Sequence, residues 1–296
     1  MSAMVLDGLR WEVRERGHGQ PLLLLHGFTG RGSGWGAHAT AFARHFRVIV
    51  VDLPGHGRTR PSDPVRGVRP VRVSVERTAD DLAMLLARSG ATPAHVLGYS
   101  LGARVALRLA IVHPDGVRRL VLESPSAGIV GTRERAARRV ADAALADRLE
   151  RDGMETFVDA WERQPIFAGH AAPPLVGHAA LPVAQAARLR AARLRATRLR
   201  ADRLSNTPAG LALSLRGAGQ GSMEPLHDRL ASVRIPTLVI AGALDPIGLA
   251  RAEVVAADVP GARLEIVPGA GHMPHLESPA RFRSLTLDFL QEEPTA

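Results

Sequence analysis

Residues 94–102 read Ala-His-Val-Leu-Gly-Tyr-Ser-Leu-Gly, an apolar run that breaks into Gly98-Tyr99-Ser100-Leu101-Gly102 and then into the helical pattern RVALRLAIVH. A strand that turns this abruptly into a helix brings the two elements too close for side chains at positions 98 and 102, which is why glycine stands at both. The turn presents the Ser100 hydroxyl at its apex. It also leaves the Leu101 amide free at a helix N-terminus, where the unpaired N–H and the helix dipole favour an oxyanion.

A serine hydroxyl is a poor base and a poor nucleophile near neutrality. It needs an imidazole to take its proton and a carboxylate to fix the imidazole tautomer. Asp245 ends the segment PTLVIAGALD, and His272 stands in Gly-Ala-Gly-His after the next apolar run. The order Ser100, Asp245, His272 is that of the α/β-hydrolase fold. His26-Gly27-Phe28, at the end of the first apolar strand, is expected to supply a second oxyanion donor through the Phe28 amide. His275 and Asp228 also lie near in sequence and are read as surface or structural residues.

The rest of the chain suits that fold. Short runs rich in Val, Ile and Leu predict core strands at 21–27, 47–52, 94–100, 118–124, 236–242 and 262–269, with an antiparallel hairpin around 4–16. Helical spacing at 74–89, 101–113, 248–258 and 277–291 predicts helices flanking a mostly parallel central sheet. From about 128 to 230 the alternation stops: the composition is helical, prolines recur at 165, 173, 174, 182 and 208, and no strand is evident. The expected organisation is an α/β core of residues 1–127 and 231–296 with a helical cap, 128–230, inserted between two core strands.

Composition excludes several chemistries. The chain has no cysteine, and every one of its 38 basic residues is arginine, so thiol, disulfide, Schiff-base and Walker-lysine chemistry are absent. The net charge of +9 is concentrated in the repeat at 188–203, where seven arginines face one acid, Asp202. Five residues advance a helix by roughly 500°, so Leu189, Leu194, Leu199 and Leu204 spiral around the axis, and the repeat is expected to be a solvated, partly mobile expansion of the cap, with an anion- or partner-binding arm as the alternative. It lacks the aromatic residues of a nucleic-acid surface. Gly32-Ser33-Gly34-Trp35-Gly36-Ala37, with Asp52 twenty residues further on, imitates a dinucleotide fingerprint, but its first glycine falls several residues past the strand. Neither cofactor nor metal is expected. Early charges at the N-terminus argue against a signal peptide, and residues 22–27 are too short to span a bilayer. The expected protein is cytoplasmic, free of membrane and nucleic-acid partners, and a monomer or weak homo-oligomer.

Taken together, LLLHGFTG with Trp35, VDLPGHGRT, GYSLGAR, LVLESPSAGI, ERAARRVAD, FVDAWERQPIFA, RLSNTPAGLALSLRGAGQG and GAGHMPHLESP resemble the 2-succinyl-6-hydroxy-2,4-cyclohexadiene-1-carboxylate synthase (MenH-like) family over most of the chain. The resemblance implies a lyase of menaquinone biosynthesis, in which the triad removes a proton from a cyclohexene substrate and pyruvate leaves from its enolpyruvyl ether. The substrate is a small-molecule polycarboxylate, for which guanidinium groups are the best clamps. Arg104, four residues after Ser100, falls on the same helix face. Its cation opposes the local helix dipole, which makes sense where an anion arrives. By similarity Arg138, Arg203, Trp161 and Tyr99 are further substrate contacts. The repeat directly precedes Arg203, the family's pattern lacks it, and Ala103 and Ala243 also depart from that pattern. The alternative activity is a serine carboxylester or C–C bond hydrolase using the same triad.

Overall fold

The computed structural model describes residues 2–63, 69–164, 166–167 and 183–293. Pro165, Pro173, Pro174 and Pro182, read above as interruptions of the cap, lie outside the described residues.

Eight strands follow one path in space: β1 (Ser2–Leu6), β2 (Leu9–Arg16), β4 (Arg47–Val51), β3 (Pro21–Leu25), β6 (Ala94–Tyr99), β7 (Val117–Glu123), β8 (Thr237–Gly242) and β9 (Arg263–Val267). The two-residue β5 (Arg60–Pro61) pairs with the outer end of β2. From β4 to β9 all neighbours are parallel, and β2 runs antiparallel to both β1 and β4. This is the predicted hairpin joined to the predicted parallel sheet.

The apolar runs are continuous because the sheet is covered on both faces. Along β3, Leu23 and Leu25 enter one core while Leu22 and Leu24 enter the other; Ile49 and Val51 separate from Val48 and Val50 in the same way. On the first face pack α2 (Val75–Arg88), α3 (Leu101–Val112) and α8 (Pro246–Asp258). On the second lie α1 (Gly36–Phe42) and α10 (Pro279–Gln291), with Trp35, Phe42, Phe282 and Phe289 filling the space.

Between β7 and β8 the chain forms α4 (Thr132–Glu162), interrupted at Gly153 (φ 80°), then α5 (Val183–Leu204), α6 (Pro208–Ala218) and the short α7 (His227–Leu230). Helices α4 and α6 share a small apolar cluster of Ala146, Leu149, Phe157, Val158, Leu211, Ala212 and Leu215, against which Phe28 and Trp161 also pack. The cluster is seated on the sheet through close backbone approach: a side-chain carbon at Gly55 would meet the Gly210 carbonyl. The pentad repeat is helical within α5, and Leu194 is 50% exposed, in keeping with apolar positions that never align into one stripe. Its last turn is held tightly. There Arg203 is buried, and Arg200 pairs with Asp159 and Glu162 of α4.

Candidate active site

Ser100 sits at the β6–α3 junction with φ 51° and ψ −105°, a backbone conformation that ordinary L-residues avoid. Both flanking glycines are required. A side-chain carbon at Gly98 would strike the backbone of Gly102, and one at Gly102 would strike the carbonyls of Leu25 and His26. The helix is thereby drawn against β3, the strand that carries Phe28 just beyond its end.

Three distant segments meet at this turn. The Ser100 Oγ lies 3.2 Å from His272 Nε2, and His272 Nδ1 lies 2.7 Å from Asp245 Oδ2. The short Nδ1 bond assigns the ring proton to that nitrogen and leaves Nε2 to accept from the serine. Burial raises the Asp245 pKa, but the hydrogen bonds from His272 and the Gly248 amide outweigh it and hold the carboxyl below its usual range. The aspartate therefore stays ionised and orients the imidazole.

The amides of Phe28 and Leu101 flank the same turn, and neither has an acceptor among the described residues. The loop carrying Phe28 is fixed by two buried histidines. Nε2 of His26 accepts from the Leu53 amide at 2.9 Å, and Nε2 of His56 accepts from the Thr29 amide at 3.3 Å. A ring nitrogen that accepts is unprotonated, and burial drives the His56 pKa down to about 3 and lowers that of His26.

Ser100 opens onto a cavity of about 170 Å³ lined by Phe28, Tyr99, Leu101, Arg104, Arg138 and Trp161, together with Arg251 and His272. Arg104 is buried, and its Nη1 donates to the Ala218 carbonyl at 2.8 Å, with no ion-pair partner within 4 Å among the described residues. Burial, reinforced by the neighbouring Arg138, lowers its pKa to about 10. Arg138 does have a partner, since its Nε lies 2.8 Å from Asp142 Oδ1. The Tyr99 ring packs against His272 and His275, and burial, with Glu123 adding to it, pushes its hydroxyl pKa well above the usual value, so it remains a neutral donor.

Arg203 is not brought into the cavity. Its guanidinium sits over the Phe167 ring, 5.2 Å from the centroid, its Nη1 donates to Glu162 Oε1 at 2.8 Å, and it lines an adjoining pocket with Phe28, Tyr99 and Phe167. His275 is buried and donates to Glu123 through both its amide and Nδ1, while Asp228 is exposed on α7. Asp52 spends both carboxylate oxygens on the amides of Gly32 and Arg58, so it staples two loops at the position a dinucleotide fingerprint would give to a ribose.

The comparisons decide the family. The alpha/beta hydrolase fold family matches residues 20–279. A Bacillus subtilis protein assigned as 2-succinyl-6-hydroxy-2,4-cyclohexadiene-1-carboxylate synthase is 35% identical over 97% of this chain and 96% of its own length.

The chain belongs to that synthase family.

A Klebsiella pneumoniae synthase of the same name is 30% identical over 89% of this chain and 92% of its own. The solved structure of MenH from S. aureus superposes with a TM-score of 0.79 at 30% identity, covering 95% of this chain and 97% of that one. In this member of the synthase family, several supporting residues escaped the sequence reading. Ser124 Oγ donates to the His272 carbonyl at 3.0 Å, and Glu277 accepts from the amides of Gly271 and Met273 on either side of His272. Asn206 ties the helical segment to the core by donating to the Thr29 carbonyl and accepting from the Gly57 amide. Such roles come from loop-to-loop contacts and have no local spacing signature; Arg251 is different, because its position relative to Asp245 and Gly248 is readable in the chain.

Proposed function

We propose that this synthase-family chain eliminates pyruvate from 2-succinyl-5-enolpyruvyl-6-hydroxy-3-cyclohexene-1-carboxylate, giving 2-succinyl-6-hydroxy-2,4-cyclohexadiene-1-carboxylate on the route to menaquinone. The observation that carries the reading is a hydrogen-bonded Ser100–His272–Asp245 line opening onto a cavity that Arg104, Arg138 and Tyr99 also line. A hydrolase needs only the first part; a site for a tricarboxylate needs both.

The ring C2–H of the substrate is acidified by the succinyl ketone. Ser100 Oγ passes its proton to His272 Nε2 and receives the proton from C2, with Asp245 stabilising the imidazolium that forms. The ketone oxygen gains enolate charge, which the Phe28 and Leu101 amides take up. Collapse of the enolate forms the C2=C3 bond, moves the ring double bond to C4=C5 and breaks C5–O. The released enolpyruvate takes up a proton and becomes pyruvate. Arg104 and Arg138 hold carboxylates and the Tyr99 hydroxyl donates to one of them, so that C2–H faces the serine.

In this reading residues 128–230 act as a cap over a core of 1–127 and 231–296. Support comes from Arg138, Asp142, Trp161, Ser214 and Leu215, which reach the cavity from α4 and α6. The substrate is a small molecule, and the enzyme is taken to be cytoplasmic and a monomer or weak homo-oligomer. No helix among the described residues is long and apolar enough to cross a membrane. The test is a lactate-dehydrogenase-coupled assay with the enolpyruvyl substrate. Stoichiometric pyruvate release is expected; folded protein that releases none, while turning over simple aryl esters briskly, would move the assignment to a hydrolase.

A further inference from the structure

The buried face of α8 is set by Gly248, Ala252 and Val255, the spacing that turns one side of a helix toward the core. Arg251 lies three residues after Gly248 and therefore beside it on that face. A long side chain in a helix leans back toward the N-terminus, over the turn that precedes it. The residue there, one turn back on the same face, is Gly248, where a side-chain carbon would collide with the Asp245 carboxylate that caps the helix. Gly248 and Arg251 both line the cavity.

Within the cavity Arg251 is a half-buried cation without a hydrogen-bond or ion-pair partner among the described residues. Burial and the nearby Arg138 both disfavour its charge, only partly offset by Asp245 and Glu134, and its pKa is lowered accordingly. Folding gains nothing evident from a guanidinium so placed; an anion entering the cavity would gain a charge-assisted hydrogen bond. The wall thus presents three guanidinium groups, Arg104, Arg138 and Arg251, against one carboxylate, Asp142. Arg203 is paired with Glu162 and does not line this cavity, so Arg251 is the third guanidinium on its wall.

We propose that Arg251 is a substrate-binding residue that takes one carboxylate of the substrate. The inference rests on the pyruvate-eliminating function proposed above. The experiment measures kcat and KM for pyruvate release, and the melting temperature, in wild type, Arg251→Met, Arg251→Lys and the surface control Arg118→Met. The expected result is a rise in KM of about tenfold or more for Arg251→Met. Its kcat should change less and its melting temperature should be unchanged or higher, with partial recovery in Arg251→Lys and wild-type kinetics in Arg118→Met. A wild-type KM in Arg251→Met would overturn the inference while leaving the function standing, and so would a fall in melting temperature that accounts for the lost activity. An equal loss in Arg118→Met would reduce the effect to net charge and overturn it too. No pyruvate from the wild-type chain would overturn the function itself, and this inference with it.

Discussion

The floor of the cavity and its wall are built on opposite principles. On the floor the polar groups that hold the triad loops are already answered. Ser124 and Glu277 hold the backbone around His272, Asp52 joins two loops, and His26 and His56 accept the amides that shape the Phe28 loop. On the wall the cations outnumber their partners: Arg104 has only the Ala218 carbonyl as an oxygen acceptor, Arg251 has none, and the buried Trp161 Nε1 is unpaired among the described residues. A buried polar group without a partner costs the fold roughly 1–3 kcal/mol. Folding therefore completes the floor unaided, whereas under the proposed function the wall is left for an anionic substrate to complete.

That contrast breaks first at its centre. Ser100→Ala removes the proton relay but no bond that supports the loops, since the Ser100 Oγ contacts His272 alone among the described side chains. Pyruvate release should fall by about 10²–10⁴-fold, the range for losing a positioned acid–base group, with an unchanged melting temperature. Near-normal turnover would show that the triad is not the proton acceptor.

Acid should strike the floor next. Burial holds the pKa of His56 on the floor, and that of His38 buried in α1 on the second face of the sheet, down to about 3, against 6.5 for the unperturbed side chain. Between those values the unfolded chain binds the extra protons, so the stabilisation is complete above about pH 6.5 and is lost as pH falls. At pH 5 the difference is roughly 2 kcal/mol for each histidine. Urea midpoints measured from pH 7 to pH 5 should fall together with activity; midpoints that do not move would mean that these rings are not held neutral by the fold.

The wall responds through affinity. Arg104→Ala should raise KM by about tenfold to a hundredfold, as expected for a lost charge-assisted hydrogen bond. A KM in Arg104→Ala close to that of the wild type would remove Arg104 from the list of carboxylate contacts.

The same division explains what could be read from the chain alone. Gly98, Ser100 and Gly102 were legible because a strained turn needs those residues in that order, and the strands were legible because both faces of the sheet are buried, making each run continuously apolar. Asp245 and His272 followed from the order of segments. Glu277, Ser124 and Asn206 were not legible, since their roles depend on which loops the fold brings together. Arg203 shows the converse. The resemblance supplied a motif, but motif position says nothing about the Phe167 ring under the guanidinium or the Glu162 carboxylate that holds it.

The smallest expected effect tests where the wall ends. Arg200 and Arg203 both bond Glu162, yet the Arg200 side chain is 38% exposed and that of Arg203 only 4%. An exposed ion pair is screened by water and restrains two flexible side chains, so it contributes at most about 1 kcal/mol. Arg200→Ala should therefore lower the melting temperature slightly and leave KM alone, because Glu162 keeps its buried partner. If KM instead rises tenfold, the last turn of α5 does more than anchor the cap, and the cationic surface that meets the substrate extends beyond Arg104, Arg138 and Arg251 into the arginine repeat.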